Sequence, residues 1–373
     1  MKGWINMKFT VEKDVFSKAV FNVLRAVPVK PQNQNLEGVL IKADGKYVRM
    51  TGYDSVFGIN TAVEADVEKE GEIVLNAKLF AEIVRKMPDG YLTVSVEGAS
   101  LVTISNGDTV FDIVGASAEM YPELPYVEHR DELVISQKVF RDMIEKSSFA
   151  VATTDINPIL TGSLLECGDN TLTVVSVDSA KLAVVKEKCK YAGNKSFIVP
   201  GKSLSEIAKI LDNDDEGEVC IYSSGKEALF VIDNYEMVTK LIMGRFIDYK
   251  KSLPAEHRLE IIADRGSLYE AVDRASLLIS DRFKAPVRCM FRDDRIRLSC
   301  TTELGKICQD IPARITGDGF EAGYNNKFLY DALRAADCEH IRLQLNSPLS
   351  PMMLSSAEGN NFMYLIMPVR LAD

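Results

Sequence analysis

The 373-residue sequence contains no run of about 18 apolar residues, so it predicts no membrane-spanning helix. It opens without a charged-then-apolar leader and a small-residue cleavage site, so it predicts no secretion signal. Seven cysteines (167, 189, 220, 289, 300, 308 and 338) are odd in number and none stands in a CxxC pair. That usage favours a reduced, cytoplasmic setting over a disulfide framework. Histidine is scarce. His129 and His257 lie in Glu-His-Arg stretches, and neither they nor His340 have a metal-ligand or triad partner at recognisable spacing, so no metal or cofactor is expected. Positive charge is also in deficit: the formal net charge is −10 and the pI about 5.1, which argues at first against a nucleic-acid partner.

What the chain does have is repetition. The stretches NAKLFAEIVRKM (76–87), PGKSLSEIAKIL (200–211) and NKFLYDALRAA (326–336) share one pattern, with Lys78, Lys202 and Lys327 spaced by 124 and 125 residues. Gly38-Val39-Leu40-Ile41 returns as Gly162-Ser163-Leu164-Leu165, and Tyr53-Asp54-Ser55 as Val177-Asp178-Ser179. Val48, Leu172 and Ile296 are apolar at two successive steps of 124, as are Met50, Val174 and Leu298. These stretches read as strands around Asp-Gly, Asp-Asn and Asp-Asp turns, a hairpin signal. A helix-period stripe precedes each: Phe16/Val20/Val23, Phe140/Ile144 and Leu268/Val272/Ala275. With 46% hydrophobic residues the chain can fill several cores. A tandem α+β architecture is therefore expected: three similar domains at 7–125, 129–252 and 253–373, each with two helices and antiparallel strands.

The helices sort charge. In 76–87, Leu79, Phe80, Ile83, Val84 and Met87 fall on one face, with Lys78, Glu82, Arg85 and Lys86 on the other. In 200–211 the inward set is Leu204, Ile207, Ala208 and Leu211, and in 326–336 it is Phe328, Leu329, Ala332, Leu333 and Ala336. Over 12–25, 77–87, 136–148, 201–211, 265–279 and 326–336 the formal charge is +6, leaving −16 for the rest of the chain. A basic helical surface on an acidic exterior suits a polyanion, which answers the objection from pI.

Two motif-like stretches point elsewhere and fail. Gly201-Lys202-Ser203 resembles the end of a phosphate loop, but Ser196 stands where the first glycine is needed and Pro200 intrudes. Asp212 to Gly217 resembles a calcium loop, but Ser223 stands at its twelfth position. No catalytic constellation emerges.

The segments MKFTVEKDVF, MYPELP, NPILTGSLLE, VVSVDSAKLAV, LIMGRFIDYKKSLP, AGYNNKFLYDAL and FMYLIMPVRL together resemble the bacterial sliding-clamp family, the beta subunits of DNA polymerase III, from Met7 to Leu371. The resemblance implies a DNA clamp fold and a head-to-tail homodimer closing into a six-domain ring. Helices would line a hole for double-stranded DNA held without sequence specificity. It implies a processivity factor rather than an enzyme, although membership of the holoenzyme attaches a nucleotidyltransferase label to such proteins. Expected partners are the replicative polymerase alpha subunit, the clamp loader, other polymerases and mismatch-repair proteins, all through short apolar peptides, and no membrane. An open DNA-binding scaffold is the alternative.

Residue by residue, the resemblance and the basic stripes point to Arg25, Lys30, Lys78, Arg85, Lys138, Arg141, Lys202, Lys209 and Lys327 beside DNA. Ring closure would use Phe111-Asp112-Ile113 on an edge strand and Leu278-Ile279 at the end of the helix over 265–279. The partner pocket would draw Leu160, Val177, Ser179, Ala180, Lys181 and Leu182 from the second domain, with Ile247 and Ser252 beside it. Pro351, Leu365, Met367 and Val369 would come from the third. Two departures stand out: Asp178-Ser179-Ala180-Lys181 replaces a frequent Asp-Gly-His-Arg, and Ile247 replaces a frequent proline.

Overall fold

The computed structural model describes residues 6–30, 34–98, 100–154, 156–213, 216–254, 256–280, 285–359 and 361–371. Asp214 and Asp215 of the acidic turn lie outside the described residues.

The first third runs β1 (Met7–Glu12), α1 (Lys13–Val23), β2 (Gly38–Asp44), β3 (Tyr47–Tyr53), β4 (Phe57–Glu64), β5 (Asp66–Lys69), β6 (Gly71–Asn76), α2 (Ala77–Lys86), β7 (Tyr91–Glu97), β8 (Leu101–Asn106) and β9 (Thr109–Val114). The second repeats that order without a counterpart of β5: β10 (Leu133–Ser136), α3 (Gln137–Ser148), β11 (Gly162–Gly168), β12 (Thr171–Val177), β13 (Lys181–Lys188), β14 (Lys195–Pro200), α4 (Gly201–Ala208), β15 (Glu218–Ser223), β16 (Glu227–Ile232) and β17 (Tyr235–Lys240). The third runs β18 (Leu259–Asp264), α5 (Arg265–Ser276), β19 (Val287–Arg292), β20 (Arg295–Thr302), β21 (Gly305–Thr316), β22 (Glu321–Tyr324), α6 (Asn326–Ala335), β23 (His340–Leu345), β24 (Met352–Ser356) and β25 (Phe362–Ile366).

Local chemistry explains why the repeat folds alike. Asp169-Asn170 and Asp293-Asp294 both take positive φ (51° and 55°, 55° and 53°) in two-residue hairpin loops, a conformation Asn and Asp tolerate. In the first copy Asp44 pairs with Tyr47, so the loop is Gly45-Lys46, with Gly45 at φ 63°. After the next strand, Asp54 Oδ1 accepts the amides of Val56 and Phe57 (2.9 and 2.6 Å). Asp178 Oδ1 accepts those of Ala180 and Lys181 (2.7 Å each), and Thr302 Oγ1 accepts that of Leu304 (3.2 Å). One polar side chain thus closes the same turn three times, 124 residues apart.

The strands form three sheets, β5-β1-β7-β8-β9, β10-β15-β16-β17-β4-β3-β2-β6 and β14-β11-β12-β13-β25-β24-β23-β18-β21-β20-β19-β22. Compact units cut across the sequence repeat. One holds residues up to Lys138 with Glu206–Leu241; the other holds Val139–Ser205 and residues from Ile242 onward. The middle repeat is divided because each of its two sheets continues into a neighbouring repeat. In the first unit Phe9, Phe16 and Phe80 stack edge-on at 5.9 and 5.8 Å, all fully buried. Each contributes about 1.5–3 kcal/mol of burial.

The helical faces match expectation except at one repeated position. Phe80, Ile83, Val84 and Met87 are buried, but Leu79 is 50% exposed, and its counterpart Phe328 is only half-buried. Both sit at the edge of the apolar stripe, where neighbouring packing decides. The helix expected over 265–279 ends at Ser276, and Leu278 and Ile279 continue as a turn whose amides reach Ala275 and Ser276. α4 likewise stops at Ala208, one residue before Lys209.

Candidate functional surfaces

Basic side chains occupy the outer faces of the helices. Asn76 caps α2 by accepting from Leu79 N (3.0 Å), and Asn325 caps α6 by accepting from Lys327 N (2.9 Å). These caps set Lys78 and Lys327 in the first turn, exposed and without an ion pair among the described residues. Lys202 is exposed at the same place in α4, Lys30 is exposed in the loop after α1, and Lys138 is half-buried at the start of α3. Four of the expected cations sit beside acids: Arg85–Glu82 at 2.6 Å, Arg141–Glu145 at 2.9 Å, and both Lys209 (2.7 Å) and Arg25 (3.5 Å) on Glu206. Such surface pairs add about 0–1 kcal/mol to stability. Their larger effect is to dilute the positive field.

An apolar cluster in the second unit gathers Leu164, Val177, Leu182, Ile198, Tyr249 and Leu365, with Leu160, Phe246, Met353 and Met363 packed against it. The pairing of β13 with β25, Leu182 opposite Leu365, brings the two repeats' contributions together. Tyr249 holds the connector onto this cluster by donating to Glu166 Oε2 (2.9 Å). Burial and that carboxylate raise its hydroxyl pKa. Ile247 is 39% and Met367 43% exposed, while Ser179 and Ser252 are exposed and Ala180 and Pro351 half-buried.

Two of the expected pocket residues make contacts away from this cluster. Adjacent strand residues face opposite sides, so Lys181 projects away from Leu182 and donates to Phe149 O (2.7 Å). Val369 bridges to Gly323, its amide donating to the Gly323 carbonyl (2.8 Å). Phe246 and Tyr249, both in the quoted GRFIDYKK stretch, join the cluster although the sequence did not single them out. Met353, Met363 and Ile198 carried no local signal.

Two of the open strand edges lie beside the residues expected to close a ring. β9 ends its sheet, with Val110 56%, Phe111 38% and Val114 76% exposed and Ile113 half-buried. β21 pairs with β20 along Gly305–Pro312 but reaches β18 only from Ala313. Its first half therefore has a free side, flanked by exposed Leu277 and Leu304 and by Leu278, which lies against Gly305. Leu278 and Ile279 are half-buried there.

The fold also gives His340 neighbours that the sequence did not reveal. Its Nδ1 lies 3.2 Å from Glu358 Oε1, with Glu339 alongside, at the start of β23, where an ordinary surface hydrogen bond accounts for the contact. His129 stacks on Tyr222 at 4.7 Å, and His257 lies 3.4 Å from Glu260.

Three family models cover nearly the whole chain: the DNA polymerase III beta subunit N-terminal domain over residues 7–125, its central domain over 134–248 and its C-terminal domain over 250–370. A beta sliding clamp of Staphylococcus aureus is 29% identical over 375 residues, covering 98% of this chain and 99% of that protein. The crystal structure of the DNA polymerase sliding clamp of Bacillus subtilis matches with a TM-score of 0.95 at 30% identity, covering 98% and 100% of the two chains. A Eubacterium rectale structure, described as a candidate DNA polymerase III beta subunit, matches with a TM-score of 0.94 at 32% identity, covering 97% and 99%.

Proposed function

Because the chain belongs to the DNA polymerase III beta-subunit family, we propose that it is a DNA sliding clamp whose two copies close head to tail around duplex DNA. In this reading each repeat is one domain, at 7–125, 129–252 and 253–373. The observation that carries the proposal is the rule by which its own repeats join. β17, the last strand of the second repeat, pairs with β4 of the first, Tyr235 opposite Thr61 and Thr239 opposite Phe57. β25, the last strand of the third, pairs with β13 of the second, Ile366 opposite Lys181.

The corresponding strands left open are β9, the last of the first repeat, and the first half of β21, the third repeat's equivalent of β4 and β13. A 124-residue step carries Phe57 to Lys181 to Gly305, and matching hairpin registers make Thr109 the counterpart of Tyr235. Continuing the rule between copies sets Phe111 opposite Ile307, Asp112 opposite Lys306 and Ile113 opposite Gly305. Apolar and opposite-charge pairs would face each other across that joint.

A ring retained by topology needs no tight phosphate grip, and each neutralised phosphate would add a salt-dependent hold that slows sliding. Arg25, Lys30, Lys78, Arg85, Lys138, Arg141, Lys202, Lys209 and Lys327 then serve as a weak, sequence-blind lining, several of them diluted by adjacent acids. The cluster around Leu160, Val177, Leu182 and Leu365 receives apolar peptide tails of polymerase, loader and repair partners, its methionines adapting to different sequences. The chain tethers and carries no chemistry of its own, and it works in the bacterial cytoplasm with the chromosome.

The test is to load the protein onto nicked circular duplex and then linearise the DNA. A ring is lost over the free ends. Retention on linear DNA would favour an open scaffold instead.

A further inference from the structure

Lys181 is a cation with only 9% of its side chain exposed. Its Nζ donates to Phe149 O at 2.7 Å, just past the C-terminal end of α3, where carbonyls lack helical partners. It also lies 3.4 Å from Asp178 Oδ2, 5.0 Å from the centre of the Phe328 ring and 5.9 Å from that of Phe149. Carbonyl, carboxylate and two ring faces together compensate an ammonium removed from water. Phe149 in turn packs edge-on against Tyr364 of β25 at 4.9 Å. Lys181 therefore ties the start of β13 to α3, α6 and β25 at one point.

The same few residues form part of the partner cleft. Asp178 Oδ1 fixes the amides of Ala180 and Lys181, Ala180 O accepts the amide of Met367 at 2.9 Å, and Leu182 lies in the apolar cluster. The counterparts of Lys181 are Phe57 and Gly305, so neither other repeat carries a cation at this position. We propose that Lys181 is a positioning residue for partner-peptide binding: its ammonium, on the helix side of β13, sets the position of the cleft floor on the other side. The proposal rests on the cleft reading above.

The probe is a fluorescein-labelled peptide from the C-terminal tail of the host's replicative polymerase, titrated against the full chain by anisotropy. Lys181→Met keeps most of the stem and removes the charge, and is expected to weaken binding by about tenfold, with Lys181→Arg restoring it to within about threefold. Amide exchange at Met367 should accelerate in Lys181→Met while that of Ile104 in β8 stays unchanged, a local signature that general destabilisation would not give. Leu160→Asp, at the cleft rim, is the control for the cleft itself. If Leu160→Asp abolishes binding while folded Lys181→Met binds like the unaltered protein, the role of Lys181 is refuted. If Leu160→Asp also binds normally, the cleft reading fails and takes this proposal with it. Should Lys181→Met not fold, Phe328→Leu removes only the ring beside the ammonium; a loss of about threefold supports the proposal and unchanged affinity overturns it.

Discussion

The amide of Met367 donates to the carbonyl of Ala180 across 2.9 Å, joining the segment after β25 to the turn before β13. Four residues later Leu371 packs on Gly323, where an added Cβ would meet its Cδ2 at 2.4 Å. The C-terminal segment is thus held at both ends. Deleting Met367 through Asp373 is expected to abolish capture of a polymerase-tail peptide and leave a dimer of native size. Two buried peptide side chains at about 1.5–3 kcal/mol each, with some backbone bonds, correspond to roughly micromolar affinity in the intact protein. Undiminished anisotropy in the truncated chain would show that the peptide binds elsewhere.

Glu206 accepts both Lys209 and Arg25 and so restrains two of the cations proposed to face DNA. Glu206→Gln keeps the shape and removes the charge. Binding to a short duplex should tighten, and the plot of log affinity against log salt should steepen by about 0.9 for each cation freed to meet a phosphate. Lys78→Ala or Lys327→Ala alone should cost no more than about 1 kcal/mol, because each is solvated. A salt slope identical to that of the unaltered protein in Glu206→Gln would mean that these two cations do not approach phosphate.

The sequence revealed the repeat, hairpins and helices because their signals are local: Asp-Gly, Asp-Asn and Asp-Asp turns, and apolar stripes starting from buried Phe16, Phe140 and Leu268. Residues at the edge of a stripe were misplaced, since a helical wheel cannot say what packs beside Leu79 or Phe328. Strand alternation alone turns Lys181 away from Leu182, since neighbouring strand residues face opposite sides. Which repeat edges pair was not legible, because β17–β4 and β25–β13 unite strands more than 170 residues apart through backbone hydrogen bonds that leave no side-chain signature. The same limit concealed that Met353 and Met363 pack against the cluster of Leu182 and Leu365.

Tyr324 is fully buried in the third repeat's core, and its hydroxyl has no hydrogen-bond partner among the described residues. Burial raises its pKa, so at working pH it stays a neutral hydroxyl among Leu268, Cys289, Phe291 and Leu354. An unpaired buried hydroxyl costs about 1–3 kcal/mol. Tyr324→Phe should therefore raise the urea midpoint without altering DNA loading or peptide affinity. A lower midpoint would show that the hydroxyl finds a partner, such as one buried water.

The joint between copies can be tested at one atom pair. The register that places Phe111 opposite Ile307 also places Val110 opposite Cys308, which is exposed on the open half of β21. Cα atoms directly opposite in an antiparallel pair lie about 4.5–5.5 Å apart, within the range a disulfide spans. Val110→Cys should therefore form an intermolecular bond with native Cys308 under mild oxidation by diamide. The other thiols compete poorly: burial pushes Cys167 and Cys289 up to about 12 and raises Cys189 and Cys300 as well. Non-reducing electrophoresis should show a covalent dimer in Val110→Cys and none when Cys308→Ser is added. A cross-link that persists without Cys308, or none in a protein already dimeric by size, would refute the shared register and with it this route to ring closure.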